Sequence, residues 1–167
     1  MKRYIKSDTD PDSYDYVFSP HPDTRKRLAT YMTDPEVLEI YAYDPSADVR
    51  EGVAYNRNTS PELLRHLASD VNDDVREQVA GNPNTPPDVL VQLCREHNNW
   101  IRRAVAGNRN APEDILVLLA DIPFAAVREM VAANPNTPID ILHKLLEDSD
   151  PDVRYMAAQN MRQRGLT

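Results

Sequence analysis

The chain has 167 residues, a formal charge of −8 and a single cysteine, Cys94. That length fits one domain, the acidity argues against broad binding to phosphate backbones, and one cysteine excludes an internal disulfide and any cysteine-cluster metal site. No run of about 18 apolar residues is available for a membrane span, and the polar start MKRYIKSDTD lacks the apolar stretch of a signal peptide, so a cytoplasmic protein is expected.

Residues 1–22 mix Asp, Ser, Pro and aromatics without a helical period and read as a non-repeat N-terminal arm or cap. Tyr14, Tyr16 and Phe18 alternate there with other residues, as in an extended segment that closes the apolar end of a stack. A worn first repeat runs from about Asp23 to Ala47, with Asp34-Pro35-Glu36-Val37-Leu38 matching Ser60-Pro61-Glu62-Leu63-Leu64. From there a 26-residue register holds without slippage through Val49, Val75, Ile101, Val127 and Val153. Repeats therefore start near 23, 49, 75, 101 and 127, a capping helix occupies 153–167, and self-similarity at this period means a solenoid over 23–167.

Each repeat holds two short helical segments. In the first, as in Val75, Val79 and Ala80, apolar residues at i, i+4 and i+5 mark one helical face. Asp48, Asp74 and Asp152 stand where a cap is expected, and the segment stops at an Asn that tolerates the left-handed conformation. The second opens at Ser60-Pro61, Thr85-Pro86 and Thr137-Pro138, a cap followed by proline in the first turn, with Glu62, Asp88, Asp114 or Asp140 placed to complement the helix dipole. Such helices are too short to stand alone and must be held by neighbouring repeats. In the repeat frame Cys94 stands where Ala68, Ala120 and Leu146 stand, as a small core residue.

Two polar series recur in phase. Arg50, Arg76, Arg102, Arg128 and Arg154 appear once per repeat, with Asp44, Asp70, Glu96 and Asp148 six residues ahead of four of them. Arginines that bridge acids between repeats would tie the stack together; free arginines would form a track for phosphates or an acidic peptide. Ile122 breaks the acidic series, which marks Arg128 as the member expected to be free. Asn56, Asn82, Asn108, Asn134 and Asn160 form the second series, suited to satisfying turn backbone because an amide both donates and accepts.

The units VREQVAGNPNTPPDVLVQL and VREMVAANPNTPIDILHKL resemble the leucine-rich repeat variant family, and the acid-to-arginine spacing is similar to that of HEAT repeats. The resemblance covers about Asp23 to Asn160. It implies an all-α, right-handed superhelix of about five two-helix repeats, with one helix of each pair 3₁₀ in form. Some members carry an N-terminal cysteine cluster for an iron–sulfur centre; no cysteine precedes Cys94, so no cofactor is expected.

Catalysis finds little support. His21, His66, His97 and His143 lie in different frames, no nucleophile motif or Gly-rich phosphate loop is present, and no enzyme or metal site is expected. The expected role is a protein-binding or scaffold module. If the second helices line the concave side, its contact face includes Arg65, His66, Gln92, Arg95, Val117, Leu118, His143 and Lys144. Val117 and Leu118 stand out because the same frames carry Arg65/His66 and His143/Lys144. The alternatives are nucleic-acid binding along an Arg/Lys stripe and an acidic decoy that mimics DNA.

Overall fold

The computed structural model describes residues 18–166, and every helix in them is α-helical. The elements are α1 (Pro22–Tyr31), α2 (Pro35–Tyr41), α3 (Ala47–Tyr55), α4 (Pro61–Leu67), α5 (Asp73–Gly81), α6 (Pro87–Leu93), α7 (Asn99–Gly107), α8 (Glu113–Leu119), α9 (Ala125–Ala133), α10 (Ile139–Leu145) and α11 (Pro151–Gln163). No second helix takes the expected 3₁₀ form. Each has seven residues, and its last turn is closed by backbone bonds such as the Ala68 N–H to the Leu64 carbonyl at 2.9 Å.

Odd-numbered helices pack side by side in one row, and each even-numbered helix packs mainly on the odd helices flanking it. The buried Ala54, Ala80, Ala106 and Ala132 let the odd helices approach closely. Between the rows runs one continuous core: Val49, Val53, Leu64 and Leu67 in one repeat, then Val75, Val79, Leu90 and Leu93 in the next, all 1% exposed or less. Each such leucine contributes about 1.5–3 kcal/mol by leaving water, which is what holds seven-residue helices that would not persist alone.

Three local expectations are corrected. The first-helix caps are Asn72, Asn98 and Asp150, whose side chains accept the Asp74, Trp100 and Asp152 N–H groups; Asp48, Asp74 and Asp152 lie inside the first turn. Thr85 and Thr137 do not cap. Pro86 and Pro138 occupy the frame of Ser60, and the buried threonine hydroxyls, like that of Thr59, donate back to the Val79, Val131 and Val53 carbonyls. The Asn residues ending the first helices are extended, φ −66 to −74°, and Gly165 alone among the described residues has positive φ.

Phe18 is 69% exposed, so it does not close the end of the stack. Tyr14 and Tyr16 lie outside the described residues. Cys94 is half-buried, its thiol donates to the Val91 carbonyl, and burial pushes its pKa up.

Candidate interaction surface

The Asn ladder is structural. Each side chain spans a repeat boundary: Asn82 Nδ2 donates to the Ala54 and Asn56 carbonyls at 2.6 and 2.9 Å, and its Oδ1 accepts the Asn84 N–H. Asn108, Asn134 and Asn160 repeat the two donations to the carbonyls 28 and 26 residues back, and Asn56 reaches Ala29 and Met32. All five are buried, so this row of carboxamides is not offered to a ligand.

The arginine ladder runs along the opposite edge, where second helices end and first helices begin. Arg50 Nε and Nη2 fork onto Asp70 at 2.6 and 2.9 Å, while Nη1 donates to the Asp44 carbonyl. Arg25, Arg76 and Arg128 place the same edge on Asp44, Glu96 and Asp148. Burial would raise the pKa of Asp44 and Asp70, but the guanidinium and a backbone N–H on each carboxylate outweigh it and hold them below the usual range; at Asp148 the Arg128 bond is the main cause. These four guanidiniums are only 13–14% exposed and offer phosphates no free edge.

Arg128 is therefore not free. Among the ladder members from Arg25 to Arg128 the one without a carboxylate is Arg102, because the residue 20 positions on is Ile122. Its Nη2 turns to the His97 carbonyl and Asn99 Oδ1, and its buried Nε has no acceptor. An unsatisfied buried N–H of this kind costs about 1–3 kcal/mol. Arg154, at the end of the ladder, holds only the Asp148 and Ser149 carbonyls.

The same boundary is apolar at other positions. Trp100 takes the frame of Asp48, Asp74 and Asp152 and is 53% exposed; it meets Phe124, in the frame of the cap residues, edge-on at 5.5 Å. Ile122 and Pro123 also line a groove of about 600 Å³ at the next boundary, together with Arg128, Lys144, Glu147 and Asp148. Comparison of the caps by frame reveals this substitution in the sequence, but the ring contact needs the fold.

The second-helix candidates fall into unlike environments. Arg65 is held by Asp88 at 3.0 Å, Lys144 pairs with Asp121, and Gln92 reaches the Ala68 carbonyl and Ser69 Oγ at 3.3 Å. His66 stacks on Tyr43 at 4.4 Å, and Arg95 and His143 are exposed. Val117 and Leu118, at 40% and 64% exposure, stand between these polar positions on α8. Among the described residues no group of three or more His, Cys, Asp or Glu is gathered for a metal, and no helix is long and apolar enough to cross a membrane.

This architecture is an α-solenoid, a fold built for interaction surfaces. The leucine-rich repeat variant family matches this chain at residues 47–72, 73–95 and 125–150. A solved structure described as a leucine-rich repeat variant with a novel repetitive structural motif is 27% identical, with a TM-score of 0.64 over 90% of this chain and 63% of its own. The chain thus spans less than two thirds of that protein. An engineered protein, 16% identical, shares the fold with a TM-score of 0.53 over 89% of this chain and 94% of its own. No curated protein matches.

Proposed function

We propose that the chain is a non-enzymatic, cytoplasmic protein-interaction or scaffold module that binds a protein partner through the second-helix row around α8. The observation that carries this reading is Leu118. It is 64% exposed beside Val117, in frames that hold Arg65/His66 and His143/Lys144 in other repeats. A solvent-facing valine–leucine pair flanked by these charged positions adds apolar area to a contact. Nucleic acid is the poorer reading because four of the ladder arginines, Arg25, Arg50, Arg76 and Arg128, are paired with carboxylates.

Recovery of binding proteins from source-cell lysate, with and without nuclease, tests the proposal. A protein partner retained after nuclease and lost with Leu118→Asp is the expected result. Recovery that disappears with nuclease, or that falls steeply as salt rises, overturns it in favour of nucleic acid.

A further inference from the structure

We propose that Arg102 receives a carboxylate from a partner protein, presented by a segment in which one Asp or Glu adjoins a bulky apolar residue that lodges against Trp100 and Phe124. This deepens, and rests on, the protein-interaction reading above.

Two independent features meet at this boundary. First, Arg25, Arg50, Arg76 and Arg128 each turn the Nε edge of the guanidinium onto a carboxylate, whereas Arg102 has its Nε buried and without an acceptor. The fold has kept the cation and left out its anion, and a forked carboxylate is the ligand whose geometry that edge fits. Second, the first-turn position that is Asp48, Asp74 and Asp152 in three other repeats is Trp100 here, the cap position that is Ser46, Asn72, Asn98 and Asp150 elsewhere is Phe124, and Trp100 is 53% exposed. Ile122, which stands in the place of the missing acid, is half-buried there and, with Pro123, also borders the groove of the next boundary, which Arg128 and Asp148 line.

Charge decides between candidate occupants. A basic segment would bring a second cation to one that already lacks an acceptor. An acidic run would meet the chain's net charge of −8, a repulsion screened only over about 10 Å at moderate salt. A single carboxylate flanked by apolar side chains satisfies both constraints. Its arrival moves the Ile122 side chain aside and supplies the interaction that Asp148 supplies to Arg128.

The test uses the whole ¹⁵N-labelled chain and the blocked peptide acetyl-Gly-Leu-Asp-Phe-Gly-amide, with an analogue carrying Asn for Asp. The Arg102 Nε–H resonance, assigned by its loss in Arg102→Lys, and the Trp100 indole N–H are followed together. Both are expected to shift saturably, with the Asp peptide binding at least tenfold more tightly than the Asn peptide. Ile122→Asp fills the site from within and is expected to weaken binding tenfold or more while the fold is kept. Trp100→Ser, at an exposed position, is expected to weaken it at least threefold.

No shift at millimolar peptide, equal binding of the Asn analogue, or undiminished binding by Ile122→Asp overturns the site. So does a concentration-dependent dimer that Ile122→Asp abolishes, since the carboxylate would then come from a second copy. If Leu118→Asp loses its lysate partner and Ile122→Asp does not, the interaction reading stands and the carboxylate site alone falls.

Discussion

Arg50 and Asp70 lie 20 residues apart and meet as a fork, Nε to Oδ2 at 2.6 Å and Nη2 to Oδ1 at 2.9 Å. The Asp70 backbone carbonyl accepts from Arg76 Nη1 at 2.6 Å, so one loop residue joins the first helices of two repeats. Only at Arg102 does this relay lack its acid among the ladder members from Arg25 to Arg128.

Restoring that acid should stabilise the fold. Ile122→Asp is expected to raise unfolding free energy by about 0.5–1 kcal/mol, the gain from satisfying a guanidinium N–H being offset in part by lost isoleucine burial. Urea denaturation of the variant measures it, and an equal or lower stability would show that position 122 does not face Arg102.

Asn108 and Asn110, two residues apart, should differ in weight. Asn108→Ala strands the buried Ala80 and Asn82 carbonyls and the part-buried Asn110 N–H, and should cost about 2–4 kcal/mol. Asn110→Ala removes bonds to the Pro83 and Thr85 carbonyls from an exposed side chain and should cost about 0.5–1 kcal/mol. Equilibrium unfolding of the pair tests the ranking.

Acid should weaken the stack in a defined window. The folded pKa values of Asp44, Asp70 and Asp148 lie below the ordinary value of about 3.9, so their stabilising effect is complete above that value and is lost as pH falls through the lowered ones. Glu77 has the opposite sign: burial, then the charge of Asp74, raises its pKa, so protonating it on the way down relieves a cost. Stability is expected to rise slightly as pH falls toward the ordinary glutamate range and to drop below about 4. Glu77→Gln should remove the rise and leave the drop, a difference read from melting temperatures across pH.

Two glycines should respond oppositely to alanine. A Cβ on Gly52 would meet the Lys26 carbonyl oxygen at 2.9 Å and Ala29 Cβ at 3.1 Å, so α1 must move and Gly52→Ala should destabilise by about 1–3 kcal/mol. At Gly81 a Cβ meets nothing within 4 Å, and Gly81→Ala should stabilise by about 0.5 kcal/mol through the lower entropy of the unfolded chain. Thermal melts that moved in the same direction would contradict the packing of α1 on α3.

Tyr41 is 1% exposed, its hydroxyl has no partner, and burial is the main reason its pKa is pushed up to about 12. Tyr41→Phe should leave stability unchanged or raise it by up to about 1 kcal/mol, since an unpaired buried hydroxyl is removed with the ring kept. A clear loss in a denaturation experiment would reveal a bond the hydroxyl makes.

Much of this was legible as period. The apolar frames that mark Val75, Val79, Leu90 and Leu93 are the buried core. The pairing of the arginines was not, for an arithmetical reason: in a 26-residue repeat, six residues before one arginine is 20 residues after the previous one. A frame alone cannot say which arginine takes the acid, and choosing the nearer assigned the gap at Ile122 to Arg128 instead of Arg102. Thr85 misled for a similar reason, since threonine before proline suits a cap, and only the proximity of the Val79 carbonyl shows where its hydroxyl goes. The Trp100–Phe124 contact joins residues 24 apart, a distance that no helical period reports.

The Asn side chains reach back 26 and 28 residues, and the arginines reach forward 20 and back six. Both spans are measured along the chain in the same unit, so a loop lengthened by one residue throws both edges out of phase at once. The length of this protein is therefore quantised. Excision of residues 75–100 brings every clasp back into register, whereas excision of 75–99 leaves Asn108 and Arg102 one residue away from every partner they would inherit.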